Sequence, residues 1–231
     1  MRKAFLINLF LLVTSYWLLV TGSYAAPCYG TNMPAKHKLS ARLESYTIFN
    51  RDLENNYGEL KSQQQFFGLS YGVLDWFSID LKAGAGNVKH RLTSGEKVDY
   101  PTNFAGGYSL RLKFYDQKKI KGVFGFQHIS VHPKTKHIGT VTHKAILDDW
   151  QVSLLGSYDF GKVVPYLGAR WSRIDYIHTQ DGQRKRVMSD LGKSAGLIAG
   201  IDIPVNERLF FNLEGSFLDS EAVACSVNFN F

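Results

Sequence analysis

Beyond residue 26 the chain has no apolar run long enough to cross a membrane as a helix, yet apolar and polar residues alternate in segments of about ten. A period of two places successive side chains on opposite faces of a strand. In the last segment Val223, Val227, Phe229 and Phe231 alternate with Ala224, Ser226, Asn228 and Asn230. Just before it, Leu209, Phe211, Leu213, Gly215 and Phe217 alternate with Phe210, Asn212, Glu214 and Ser216. Upstream, Phe67, Leu69, Tyr71 and Val73 oppose Phe66, Gly68, Ser70 and Gly72. Phe77, Ile79, Leu81, Ala83 and Ala85 then oppose Ser78, Asp80, Lys82, Gly84 and Gly86. Further strands fall at 39–49, 104–115, 120–131, 150–160, 163–177 and 194–203, about ten in all, with eight as the alternative. Twenty-one glycines and 14% aromatics suit strands joined by turns better than a helical bundle.

The connections alternate in length. Short turns fall near 74–76, 116–119, 161–162 and 204–208, and longer polar segments near 50–62, 87–102, 132–148 and 178–193. Short turns at one rim and long loops at the other predict an all-β, antiparallel, up-and-down transmembrane barrel over residues 38–231. The connection at 219–221 is an exception, short where a long loop is expected. A soluble barrel with its apolar face inward is the alternative arrangement. The side opposite the apolar face carries Gly, Ser, Asn and charged residues of both signs, which fits a narrow polar lumen.

The first residues, Met1, Arg2 and Lys3, are basic, an apolar run follows to Val20, and Ser23-Tyr24-Ala25 supplies small residues at the positions a signal peptidase reads. Residues 1–25 are therefore expected to be a cleaved export signal, and 26–37 a periplasmic lead-in. Without Arg2 and Lys3 the chain keeps 25 Lys and Arg against 20 Asp and Glu, a modest excess with no nucleic-acid motif. Cys28 and Cys225 are read as unrelated thiols, since Cys225 shares the apolar face of the last strand.

With the apolar faces toward lipid, the lumen receives Arg42, Glu44, Asp80, Lys82, Arg111, Lys113, Asp159, Arg170, Asp202 and Glu214. Five basic and five acidic groups favour a paired network in a mostly closed barrel. A selective pore would show one dominant sign. His128, His132, His137 and His143 cluster within sixteen residues but match no metal-binding spacing, so no metal or cofactor is expected. Basic clusters occur in the long connections, and Arg184, Lys185 and Arg186 are candidates for contact with lipopolysaccharide phosphate.

The segment Tyr71-Gly72-Val73-Leu74-Asp75-Trp76-Phe77-Ser78-Ile79-Asp80-Leu81 and the ending Asn228-Phe229-Asn230-Phe231 resemble the small outer-membrane β-barrel proteins that include the membrane domain of outer-membrane protein A. That resemblance implies the outer membrane of a Gram-negative bacterium, Phe229 and Phe231 as a signal for the barrel-assembly machinery, and a monomer among outer-membrane lipid and lipopolysaccharide. A second, shorter resemblance lies in Phe126-Gln127-His128-Ile129-Ser130-Val131. Outer-membrane lipid A deacylases carry His-x-Ser-Asn on a strand, with the His and Ser acting beside a carboxylate. His128 and Ser130 share one strand face, Val131 replaces the Asn, and Asp148 and Asp149 are the candidate carboxylates. The sequence thus ranks a structural or surface-interaction barrel without catalysis first, a small solute channel second, and a deacylase-type enzyme third.

Overall fold

The computed structural model describes residues 27–231; the expected export signal lies outside the described residues. The alternating segments form β1 (Leu39–Asp52), β2 (Glu59–Leu74), β3 (Phe77–Arg91), β4 (Lys97–Gln117), β5 (Ile120–Val131), β6 (Lys136–Ile138), β7 (Val141–Tyr158), β8 (Val164–Gln180), β9 (Gln183–Met188), β10 (Ala195–Pro204), β11 (Leu209–Phe217) and β12 (Glu221–Asn230). Ten of these described strands close one antiparallel ring: β1, β2, β3, β4, β5, β7, β8, β10, β11 and β12, with β12 pairing back onto β1. The short β6 and β9 extend the wall by pairing with the upper parts of β7 and β8.

Within the membrane belt the exterior is apolar. Leu43, Phe67, Leu69, Leu81, Leu110, Leu154, Leu167, Leu213 and Val227 are exposed on the outer wall, while Arg42, Ser70, Asp80, Arg111, Asn212 and Ser226 face inward. About ten residues of each strand carry this pattern, enough for a tilted strand to cross the hydrocarbon layer. The terminal residue Phe231 donates its backbone N–H to Leu39 at 3.0 Å, and its ring packs edge-on to Phe229.

Several strands continue past the belt, and there the polarity of the two faces is exchanged. On β2, Glu59, Lys61, Gln63 and Gln65 now point outward, while Leu60 is fully buried inside. On β3, Lys89 and Arg91 point outward and Val88 inward. With Tyr46, Ile48, Phe66, Val98, Ile129, Leu147 and Ile174, these inward side chains form a continuous apolar core. The cause is the solvent. In lipid the exterior must be apolar, whereas outside the membrane water surrounds the wall and the hydrophobic effect fills the interior instead.

The extension is also built from a different set of strands. β10, β11 and β12 end early; β9 follows β8 upward and reaches β1 through a bridge between Leu53 and Ser189. The short connection at 219–221 is explained by this, because it tucks beneath β9 with Asp219 and Ser220 buried. A bulge in β1 between Ile48 and Arg51 changes parity and turns Arg51 inward to meet that connection.

Candidate functional site

The lumen of the membrane half is filled from within. Residues 27–33, expected to lie on the periplasmic side, instead climb inside the barrel from the short-turn rim. Outside that rim end, residues 34–38 pair with the edge through the hydrogen bonds His37 N to Gly72 O (2.7 Å) and Gly72 N to Lys38 O (3.0 Å). The backbone N–H of Cys28 donates to Glu214 Oε1 at 2.6 Å, and the hydroxyls of Thr31 and Ser157 lie 2.5 Å apart. Arg111 Nη1 donates to the carbonyl of Asn32 at 2.8 Å. The Tyr29 ring lies under the Arg42 guanidinium, 3.6 Å from its centroid, and its hydroxyl takes the Lys82 ammonium. The segment enters because the lumen offers charges that its backbone and ring satisfy.

Eight of the ten expected lumen charges are buried there: Arg42, Glu44, Asp80, Lys82, Arg111, Arg170, Asp202 and Glu214. Arg111 grips Asp80 with two hydrogen bonds of 2.9 Å, and Glu44 lies 3.5 Å from both Arg42 and Lys82. Glu214 accepts from the Tyr166 hydroxyl at 2.8 Å, and Asn212 donates to Asp202 at 2.7 Å. The other two belong to the short-turn rim. Lys113 stands beside a register shift between β4 and β5 and pairs with Asp116 at 2.5 Å, half-exposed. Asp159 lies one residue past β7, where its side chain caps the turn by accepting from Gly161 N.

The strongest lumen centre was not expected. Arg170 Nε and Nη2 reach the two oxygens of Asp219 at 2.9 and 3.0 Å, and Ser172 Oγ donates to the same carboxylate at 2.8 Å. Arg51 adds bonds to the Asp219 and Ser172 carbonyls and to Ser189 Oγ. Higher still, His90, His143 and His178 are buried in the extension with Tyr100 and Tyr176. His143 Nδ1 and His178 Nε2 are 3.2 Å apart, and the Tyr176 hydroxyl meets His90 Nδ1 at 3.3 Å. No group of three or more metal-ligating side chains with suitable geometry occurs among the described residues. Cys28 and Cys225 are both free thiols.

Of the basic cluster on β9, Lys185 stacks on the Tyr57 ring at 3.8 Å and Arg186 pairs with Asp175 at 2.5 Å; Arg184 is exposed.

A different constellation sits on the outer wall. The inward side chains of β5 are Val123, Gln127, Ile129 and Val131, so Phe124, Phe126, His128 and Ser130 all face out. Phe126 belongs with Tyr108 and Trp150 to an aromatic edge at the top of the belt, and the His128 ring stacks on Trp150 with centroids 3.9 Å apart. Adjacent β7 sends Asp149 inward and Asp148 outward. Asp148 Oδ1 is 3.7 Å from His128 Nε2, and Asp148 stands directly opposite Ser130 in the pairing of β5 with β7. Ser130 Oγ also lies 2.8 Å from Nε2 of His132, the next outward position along the chain. A hydroxyl, two imidazoles and a carboxylate thus converge where the apolar belt gives way to polar wall, the residue types that hydroxyl-based acyl transfer requires.

No known protein-family pattern matches the sequence, and no curated protein matches it. Solved structures do match. An outer membrane channel of Pseudomonas putida F1 is similar over 90% of this chain and 100% of its own, at 9% identity and a TM-score of 0.50. The outer membrane protease OmpT of Escherichia coli covers 87% of this chain and 99% of its own at 10% identity, with a TM-score of 0.44. Ail, the attachment invasion locus protein of Yersinia pestis, covers 84% and 99% at 8% identity, with a TM-score of 0.43. At 9% identity the first of these supports the fold, that of an outer-membrane β-barrel, and leaves activity to the residues themselves.

Proposed function

We propose that this chain is an outer-membrane esterase that removes an acyl chain from a lipid of the outer leaflet, using Ser130 as nucleophile. The observation that carries the reading is the 2.8 Å contact between Ser130 Oγ and His132 Nε2 on the outer wall, with His128 and Asp148 alongside. Ser130 attacks the ester carbonyl as His132 takes its proton; the histidine returns that proton to the departing alcohol, and water then releases the acid from Ser130. Asp148, opposite Ser130 and 3.7 Å from His128, supplies the negative charge that stabilises the imidazolium that forms. The site's height suits an ester, because acyl tails of a bound lipid would lie on Phe126, Tyr108 and Trp150 while its polar head meets Lys144 and Lys134 above. This favours the third reading of the sequence over the first. The resemblance to lipid A deacylases supports lipid A as the substrate.

The test compares lipid A by mass from cells carrying the wild type, Ser130→Ala, His132→Ala and Asp148→Asn, each verified in the outer membrane by heat-modifiable migration. Wild type is expected to yield lipid A short of one acyl chain, and Ser130→Ala to lower the rate by a factor on the order of 10³ or more. Identical, fully acylated lipid A in all four would return the chain to the non-catalytic, surface-interaction reading. The filled lumen weighs against a solute channel, and clear single-channel steps in planar bilayers would restore that reading.

A further inference from the structure

The outer wall carries a groove that begins beside Ser130. Rows of paired residues cross the sheet at right angles to the strands, and the row through Ser130 continues to Gly106 on β4, Ala83 on β3, Phe67 on β2, Leu43 on β1 and Val227 on β12. Because the strands of a barrel tilt, this row descends. Ser130 is ten residues from the short-turn end of its strand, whereas Ala83 is six from its own, Leu43 four and Val227 three. Much of the belt is ridged with side chains such as Leu81, Leu154 and Leu167, but past Gly106 the wall is hollow. A groove of about 870 Å³ runs from Ala83 across β2, β1 and β12, floored by Ala83, Ala85, Ser45 and Cys225 and edged by the exposed Phe67 and Leu43. Gln65 donates to the Ser45 hydroxyl at 2.8 Å, which engages the polar group of that floor. Gly106 has no side chain to part the groove from Ser130, and Phe104 leans over it from the extracellular side, its ring 3.0 Å from where a Cβ would stand.

Resting on the esterase reading of Ser130, we propose that this groove holds the acyl chain that is cut from the lipid, its carbonyl at Ser130 and its tail passing over Gly106 and Ala83 toward Ser45 and Cys225. The groove's course suits that occupant: it opens at the attacked ester and descends into hydrocarbon, as a tail does from its head group. Its length does too. The four strand spacings from Ser130 to Ser45 span about 19 Å, and the hydrocarbon of one leaflet is about 15 Å deep. Lipid tails are as apolar as the wall, so apolar burial adds little here. What the groove adds is close contact along one path, which holds the ester in a constant pose at Ser130. The tails that are not cut stay on the aromatic edge of Phe126, Tyr108 and Trp150. A cleavable chain too short to lie in the groove lacks that hold and is cut more slowly.

The experiment uses the detergent-folded barrel in mixed micelles with two synthetic glycolipid esters that differ only in a short or a long cleavable acyl chain. Wild type should prefer the long chain. Ala83→Phe, which raises the floor at the first step past Gly106, should lower the ratio of long-chain to short-chain kcat/KM about tenfold. Cys225→Phe, at the far end, should lower it less, and Leu167→Phe, on β8 outside the groove, should leave it unchanged. A second readout needs no turnover. A fatty acid with a photoreactive diazirine at its tail end, added to Ser130→Ala, should crosslink chiefly to the segments holding Ser45 and Cys225, and adding Ala83→Phe should reduce that crosslinking several-fold. An unchanged chain-length ratio in Ala83→Phe, or crosslinks spread evenly around the belt, overturns the groove while hydrolysis stands. No hydrolysis of either ester, with crosslinks still confined to the groove, sinks the esterase reading and leaves the groove as an acyl-chain site. If Ala83→Phe does not fold, Cys225→Phe and the crosslinks of Ser130→Ala decide.

Discussion

The two halves of this barrel solve one packing problem in opposite ways. Below the aromatic edge, Leu69 faces out and Ser70 in; nearer the start of the same strand, Leu60 faces in and Lys61 out. The pleat is continuous and only the chemistry of the two faces is exchanged. The membrane half is held from inside by ion pairs and by the chain's own N-terminal segment. The extension is held by apolar contact, much as a soluble barrel is. Mutations should therefore act through different physics in the two halves.

The largest effect is expected where the halves join. Asp219 is fully buried and binds Arg170 while its backbone and side chain receive Arg51. Asp219→Ala leaves two buried guanidinium groups short of their anion, a loss of about 3–5 kcal/mol. Replacing Arg170 and Asp219 together by Met and Leu should recover the part of it that comes from stranding Arg170, with Arg51 still short of its anion. The urea midpoint of the detergent-folded barrel measures both. A double variant no more stable than Asp219→Ala would show that the loss comes from Arg51 and not from the Arg170 pair.

Two leucines on β2 provide the next comparison. Leu60→Ala opens a cavity in the extension and should lower stability by about 2–5 kcal/mol. Leu69→Ala, facing lipid, removes the same atoms where acyl chains can close around the gap, and should cost well under half as much. Equal losses would mean that the outer wall at Leu69 is packed by something other than lipid.

Acid should weaken the extension first. Burial, with the charges of His143, His90 and Lys185 nearby, pushes His178 down to about 4 from its ordinary 6.5, and burial lowers His90 as well, against the hydrogen bond to the Tyr57 carbonyl and the charge of Glu96. Both lie above the membrane belt. A base whose folded value is depressed is neutral in the folded state, while the unfolded chain takes up protons near 6.5. Its contribution is therefore complete above pH 6.5 and is lost as the pH falls toward 4. The thermal midpoint should drop across that window, and His178→Phe should flatten the drop. A wild-type midpoint that stays level from pH 7 to 4 would remove the histidine cluster from the account.

The sequence made the membrane half legible because its alternation had the expected polarity: residues 120–131 match β5, and the eight buried lumen charges follow from parity alone. The extension was read as loops because alternation there carries the opposite polarity. Glu59 and Lys61 looked like loop residues, although Leu60 between these polar neighbours already marked the continuing pleat. Arg51 escaped because a bulge, which leaves no sure mark in sequence, reverses its parity. The β8–β9 hairpin did carry a signal, Asp181-Gly182, and both residues have positive φ (46° and 84°), as a two-residue hairpin turn needs. At the candidate site the shared face of His128 and Ser130 was legible, and strand parity divides the two aspartates between wall and lumen. His132 was overlooked as a loop residue, although it has the same parity as Ser130.

The smallest expected effect separates a charge inside the barrel from one at its rim. Arg111 and Lys113 are two residues apart on β4 and have the same nominal parity. Arg111 is buried against Asp80 and the N-terminal segment, whereas Lys113 is half-exposed beside Asp116. An ion pair in water gains little, because solvent screens it and both side chains lose freedom in forming it. Lys113→Ala should therefore shift the urea midpoint by less than about 1 kcal/mol of stability, while Arg111→Ala, stranding Asp80 in the lumen, should approach the loss at Asp219. A large effect at Lys113 would mean that the lumen network reaches the short-turn rim and that the boundary drawn by burial is placed too high.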